Sequence, residues 1–379
     1  MHNVAMTDAP SINRSATFRD GQPVTAAGGF LPAVQGLRGI AAATVLAVHL
    51  YDMPKGGVYD IANPGFLPPI WPWLQSLLNV GGHGVELFFM ISGFLIPASL
   101  VRHGSFWKFI RDRVMRIMPV FGVLHLLLFI VGPIVGYKFF RDIDAVSYAK
   151  IFLANLFFVP EALGLPIAQQ NAWTLTYEWA FYIWFGVTFV AAVQLRNWFL
   201  AVPLIALGLA GVVFWPMSAF FVIGMLFAAL DWRIPFKGRL GLLAGVTCGA
   251  IMYLALEYLH PVFGLLPGFL VFGMVLAPGS GLATALSAPF LQYCGKISYS
   301  LYLVHPFALF PLQVLGLRLV EHGVNRWLLW GAFVVLGIAA SLAAGSLSYE
   351  LIEVRLRRWL DRVLPHLLVR PLGGVGRPV

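Results

Sequence analysis

The sequence predicts an all-α polytopic membrane protein, about ten transmembrane helices around a central cavity, with both termini on the cytoplasmic side. Three observations predict it. Apolar types make up 59% of the 379 residues and charged types only 11%, against about 45–50% and about 25% in soluble domains; the mean hydropathy is +0.82. Apolar runs long enough to cross a bilayer recur from residue 34 to residue 350. The basic residues behind the net charge of +9 gather between those runs, as cytoplasmic loops do under the positive-inside rule. A soluble enzyme, a disordered chain and a nucleic-acid binder are therefore poor readings.

Residues 1–30 carry Arg14 and Arg19 but no continuous apolar core with a cleavage site, which predicts a mobile cytoplasmic N-terminal tail and not a signal peptide. Spans are expected at 34–51, 84–101, 116–136, 173–194, 198–215, 217–231, 239–259, 262–277, 297–319 and 327–350, forming one transmembrane domain over 31–350. An eleventh run, Ile151 to Pro160, is shorter than the ~17 residues a span requires. Charge decides its fate. The segments holding Arg102, Lys108, Arg111, Arg113 and Arg116, then Arg233, Lys237 and Arg239, then Arg355, Arg357, Arg358 and Arg362 share one side only if 151–160 does not cross. Residues 351–379 read as a basic cytoplasmic tail able to form an interfacial helix. Cys248 and Cys294 stand apart in apolar surroundings, so neither a disulfide framework nor a metal site is expected.

Titratable groups inside spans are costly and mark either function or a partner. Arg38 and His49 are eleven residues apart, about three turns and roughly 16 Å along one helix face. Either they line one cavity, or they are a snorkelling arginine and an interfacial histidine. Glu86 stands near the outer end of the second span, where a carboxylate can simply be solvated. Arg113 and Arg116, three apart, share a face; two guanidiniums there suit the phosphates of an anionic cytoplasmic cofactor or lipid headgroups. In Trp173-Thr174-Leu175-Thr176-Tyr177-Glu178, Glu178 should lie about 7 Å into its span and need a partner, while Trp173 also fits an aromatic belt. Ser298, Tyr302 and His305, at i, i+4 and i+7, form one polar stripe facing either a cavity or a neighbouring helix. His125, alone in an apolar run, reads as an interhelical group. His83, His103, His260, His322 and His366 fall in loops or at helix ends and receive no role.

The runs Gly36-Leu37-Arg38-Gly39-Ile40-Ala41-Ala42 leading to His49 and Gly84-Val85-Glu86-Leu87-Phe88-Phe89-Met90-Ile91-Ser92-Gly93-Phe94 resemble the membrane-bound acyltransferase 3 family. Arg113-Val114-Met115-Arg116-Ile117-Met118-Pro119, Trp173 to Glu178, and Ser298 to Pro306 continue the resemblance in the family's order. The resemblance implies an enzyme of the bacterial inner membrane that moves an acyl group, most often acetyl, from cytoplasmic acetyl-CoA to a hydroxyl of an exported glycan. The pairing of Tyr177 with Glu178 is similar to the branch acting on exopolysaccharide units. Carried over residue by residue, Arg38, Arg113 and Arg116 hold acetyl-CoA, His49 is the general base and Glu178 orients it or binds sugar. Glu86, Trp173 and the Ser298, Tyr302, His305 stripe meet a saccharide acceptor, free or lipid-linked, with membrane lipids as the other partner and no metal or nucleic acid. The family often has aspartate where Glu86 stands and serine where Thr174 stands. Two rivals remain open on the residues alone: a secondary transporter, although no inverted repeat is visible, and a glycan flippase or assembly protein without acyl transfer.

Overall fold

All ten apolar runs are helical in the structure, a computed structural model that describes residues 30–56 and 65–364. It adds the backbone of a hairpin formed by Ala16–Arg19 (β1) and Gln22–Thr25 (β2). The rest of the tails expected at 1–30 and beyond 364 lies outside the described residues. The helices are Pro32–Asp52 (α1), Pro72–Asn79 (α2), Gly84–His103 (α3), Phe106–Val135 (α4), Ala145–Leu156 (α5), Trp173–Phe189 (α6) and Trp198–Phe214 (α7). Ala219–Leu230 (α8), Gly238–Tyr258 (α9), Val262–Leu276 (α10), Gly281–Leu286 (α11), Pro289–Glu321 (α12), Arg326–Ser348 (α13) and Arg357–Val363 (α14) follow.

Length separates them. Among the described residues, six helical stretches are long and apolar enough to cross a membrane: Pro32–Lys55, Pro72–His103, Phe106–Val135, Gly238–Tyr258, Pro289–Glu321 and Arg326–Val363. The runs expected to span as α7, α8 and α10 are apolar helices of 17, 12 and 15 residues, at or below the ~17–25 a straight crossing needs. Helix α5, over the run judged too short to cross, has 12 residues and is capped by the Asp144 carboxylate, which accepts from the amides of Val146 and Ser147. The Ser147 hydroxyl and those amides hold the Asp144 carboxyl below the ordinary carboxylate range.

Lipid tails give no hydrophobic drive for helix pairing, so contact depends on how closely backbones approach. Glycine sets that approach at two seams. A Cβ on Gly93 of α3 would stand 2.0 Å from the Phe221 carbonyl oxygen of α8, and one on Gly224 would stand 2.1 Å from that of Met90. Along α1, a Cβ on Gly36 would meet the Leu286 carbonyl at 1.9 Å, and one on Gly295 of α12 would meet that of Gln35 at 1.9 Å. Helix α1 thus lies in backbone contact with α11 and α12, and on its other side Gly84 of α3 closes on the Ala41 carbonyl. The principal apolar core runs through α1, α3, α4, α6, α8, α10 and α12. His125, expected as an interhelical group, packs its ring among Phe121, Phe129 and Phe152, the last from α5.

Proline interrupts α12 at Pro306. Having no N–H, it cannot bond the carbonyl four residues back, and its ring crowds that turn. In apolar surroundings the freed carbonyl, that of Tyr302, needs a donor from a neighbouring segment. Two side chains of the α5–α6 connection reach this turn. Asn171 Nδ2 donates to the Tyr302 carbonyl at 2.7 Å, and Gln169 Nε2 to that of Leu303 at 3.2 Å. The connection is itself held by Asn155 of α5, which donates to the Pro166 carbonyl and accepts from the Ala168 amide.

The last helix continues past residue 351. It runs on from α13 through a π-helical segment, Tyr349–Leu356, into α14. The extra residue per turn of a π segment shifts which side chains face inward. Glu353 becomes 6% exposed, its carboxylate accepting from the Ser300 hydroxyl at 2.8 Å. Beyond it Arg357 pairs with Asp112 at 3.2 Å and Arg111 with Asp361 at 3.1 Å, clipping α14 onto α4.

Gly93→Ala should destabilise the protein by about 1–3 kcal/mol through overpacking, read as a lower unfolding temperature in detergent. Gly122→Ala, whose Cβ meets nothing within 4 Å, should leave that temperature unchanged.

Candidate active site

A narrow cavity opens between α1, α3, α4, α6 and α12. Its polar wall is formed by Arg38, Ser92, Arg116, Thr174, Glu178 and the tyrosines Tyr182, Tyr299 and Tyr302; Phe88, Phe89 and Leu175 supply apolar wall. The elements place these groups for local reasons. Arg38 follows Gly36, whose close approach to α11 keeps α1 against α12. Arg116 lies one helical turn beyond Arg113 on α4. Glu178 lies one turn after Thr174 on α6 and accepts a 2.8 Å hydrogen bond from Ser92 of α3.

The charges balance in kind. Arg38 and Arg116 are electrostatic neighbours, and both feel Glu178 and the buried Glu353. Buried cations need such carboxylates, since desolvation of an uncompensated charge costs several kcal/mol per ion. Two guanidiniums on one wall can bind a phosphate or diphosphate through forked hydrogen bonds.

Arg113 does not share that wall. Although three residues from Arg116, it is buried between α3 and α4, where it donates to Ser99 Oγ at 3.3 Å and to Asp112 at 2.5 Å. It also faces the rings of Phe109 and Tyr182. Asp112 is in turn the partner of Arg357, so Arg113 joins the clip between α14 and α4.

His49 is likewise absent from the cavity lining, contrary to a single cavity lined by both Arg38 and His49. It lies behind the wall, beside His305, with ring centroids 4.9 Å apart and the rings edge to face. His49 Nδ1–H donates to the Val45 carbonyl at 2.8 Å. That hydrogen bond fixes the tautomer and leaves the lone pair on Nε2. His305 is fully buried; its Nδ1–H donates to the Leu301 carbonyl at 3.0 Å, and its Nε2 accepts from Asn171 Nδ2 at 3.4 Å. Between this pair and the cavity stands Tyr302. Its ring is 6.4 Å from that of His305 and 5.7 Å from that of Phe88. Its hydroxyl lies 3.1 Å from Thr174 Oγ1 and donates to the Asn171 carbonyl at 3.2 Å.

The remaining expected residues scatter. Trp173 packs edge to face on Tyr177, one turn from the cavity. Ser298 is buried with no hydrogen-bond partner for its hydroxyl among the described residues. Glu86 is 0% exposed, off the cavity, one carboxylate oxygen 3.2 Å from His83 Nδ1 while His83 Nε2 meets Glu257 at 3.2 Å. His83, given no role from the sequence, therefore bridges two carboxylates. The reading also passed over Glu353, Asn171 and Ser92. Only Pro306, which announces a carbonyl without its helical donor, could have pointed to Asn171.

Residues 31–346 match the family described as Acyltransferase domain, the acyltransferase 3 family. The chain is similar to the exopolysaccharide production protein ExoZ of Rhizobium meliloti, 32% identical over 76% of this chain and 90% of the relative. Nodulation protein 10 of Rhizobium leguminosarum bv. viciae is 27% identical over 74% and 83% respectively. An O-acetyl transferase of Shigella phage Sf6 is 28% identical over 78% and 90%. No solved structure matches.

Glu353→Ala should lower stability by about 1–3 kcal/mol, the cost of stranding a buried hydrogen-bond partner, read as the unfolding temperature in detergent. Glu350→Ala, at an exposed pair with Arg355, should shift stability by less than about 1 kcal/mol.

Proposed function

The chain belongs to the acyltransferase 3 family of membrane proteins, and from that premise we propose that it transfers an acetyl group from cytoplasmic acetyl-CoA to a hydroxyl of an exopolysaccharide unit. The observation that carries the reading is one wall of one cavity bearing Arg38 and Arg116, with Tyr302 of that wall beside His305 and His305 in turn beside His49, whose Nδ1–H is given to Val45 and whose Nε2 keeps its lone pair. The exopolysaccharide and O-acetyl transferase relatives support the acceptor and the acyl group. In this reading ten helices lie within the bacterial inner membrane with both termini cytoplasmic, α7, α8 and α10 crossing as short segments packed against longer ones.

Arg38 and Arg116 hold the phosphates of the donor, as paired guanidiniums do best, and Arg113, bonded to Ser99 and Asp112, adds positive charge to that side from the α3–α4 seam. The acetyl thioester reaches along the apolar wall toward Tyr302. His49 Nε2 accepts the proton of the acceptor hydroxyl as its oxygen attacks the thioester carbon, and the departing CoA sulfur leaves as thiolate to be protonated. A positioned base of this kind contributes about 10²–10⁴-fold. Glu178, held by Ser92, offers its second oxygen to a sugar hydroxyl, with Trp173 one turn away at the rim. Glu86, Ser298, Tyr302 and His305 complete the acceptor side, Tyr302 as the wall and the others from behind it. Lipid-linked and polymeric acceptors present the same hydroxyl chemistry.

Two measurements test the reading. Transfer of label from [14C]acetyl-CoA to polysaccharide extracted from a strain lacking the gene should fall by about 10²–10⁴-fold in His49→Ala. Arg116→Ala should chiefly raise KM for acetyl-CoA, because it removes a phosphate contact made equally in ground and transition states. Wild-type transfer by His49→Ala protein, correctly inserted, would remove the base from the scheme.

A further inference from the structure

We propose that Asn171, acting through His305, is the positioning residue for His49. The proposal rests on the reading of His49 as base and adds what aims its ring. Asn171 is 2% exposed, on the connection into α6, yet its amide makes two bonds to α12. One goes to the Tyr302 carbonyl at 2.7 Å, the other to His305 Nε2 at 3.4 Å. Its own carbonyl accepts from both the Tyr302 hydroxyl and Thr174 Oγ1. One residue therefore ties the kink of α12, the Tyr302 wall and the His305 ring into one unit.

Pro306 is what makes this possible. It frees the Tyr302 carbonyl, and the donor that meets it also has a second amide hydrogen to give. His305 is then held at both nitrogens, by Leu301 and by Asn171. A ring fixed at both ends is a rigid surface. Against it His49 lies edge to face at 4.9 Å, a contact geometry that aromatic rings favour over face-to-face stacking. His49 is anchored at Nδ1 by Val45 on its own helix, and His305 closes the other side, so the direction of Nε2 is set. Neither His305 nor Asn171 lines the cavity, so the role argued for them runs through His49.

The test uses the full chain in membranes, with [14C]acetyl-CoA as donor and, as acceptor probe, polysaccharide extracted from a strain lacking the gene. His305→Ala and Asn171→Ala should each lower kcat by up to about 10²-fold, the scale of a displaced catalytic group, with KM for acetyl-CoA unchanged. His305→Phe keeps a ring edge against His49 but loses the bonds to Leu301 and Asn171, so it should be about as slow as Asn171→Ala. Adding Asn171→Ala to His305→Ala should cost little more, because the two act in series. A His305→Phe enzyme at the wild-type rate while Asn171→Ala is slow, or full additivity of the two alanines, overturns the proposal. So does wild-type turnover in both single variants when His49→Ala is inactive; if His49→Ala itself turns over normally, the fault lies with the base reading.

Discussion

A backbone carbonyl in an apolar interior must find a donor within the protein, and Pro306 leaves one such carbonyl, that of Tyr302, without its helical donor inside the 33-residue α12. That requirement organises the α5–α6 connection. Gln169 and Asn171 are drawn to Leu303 and Tyr302; Asn155 shapes the turn that brings them there. Because α6 begins one residue later, at Ala172–Trp173, the same requirement sets where Thr174 and Glu178 stand relative to α12. The polar wall of the cavity follows from a missing N–H.

Charge obeys a parallel constraint. One wall of the cavity holds two arginines of like charge, which repel each other and are expensive to desolvate. Glu178 comes from α6 and Glu353 from the π-helical stretch after α13, so four separate segments must dock before the cluster is neutral. Each carboxylate is held in turn by a serine, Ser92 for Glu178 and Ser300 for Glu353. A folded protein with only part of this cluster would bury net charge, which makes assembly of α1, α4, α6 and the last helix cooperative.

What the sequence disclosed and what it hid have physical causes. Helical runs are legible because length and apolarity are additive along the chain, and Arg38, Arg116, Glu178 and Tyr302 stood out because isolated polar groups in such runs are costly. Pairing Arg113 with Arg116 failed at the next level of detail. Residues three apart are still about 60° apart around the axis, and that angle turns one guanidinium to the cavity and the other to Ser99 and Asp112. Placing Arg38 and His49 on one helix face rests on periodicity alone and is silent about Tyr302, which comes from a helix 250 residues away and lines the cavity where His49 does not. Glu353 was hidden by a change of helical pitch, which no 3.6-residue pattern anticipates. Asn171 looked like an ordinary turn residue because its partners lie more than 130 residues downstream.

The wall itself has a consequence for the chemistry. On the proposed reading, donor and base approach Tyr302 from opposite sides, and the bonds that close it are the Tyr302 hydroxyl to Thr174 and to the Asn171 carbonyl. These are neutral hydrogen bonds, each contributing only about 0.5–1.5 kcal/mol net. A sugar hydroxyl shares the donor and acceptor capacity of the more acidic tyrosine hydroxyl, so on that reading an acceptor that replaces Tyr302 at Thr174 exchanges one neutral hydrogen bond for another. The wall can therefore stay shut against water, which would waste the thioester, and give way to the substrate it awaits, without any large store of strain. Selectivity for a carbohydrate over water then arises from having several hydroxyls to offer at once, to Thr174, to Glu178 and to His49 Nε2, where a single water offers one.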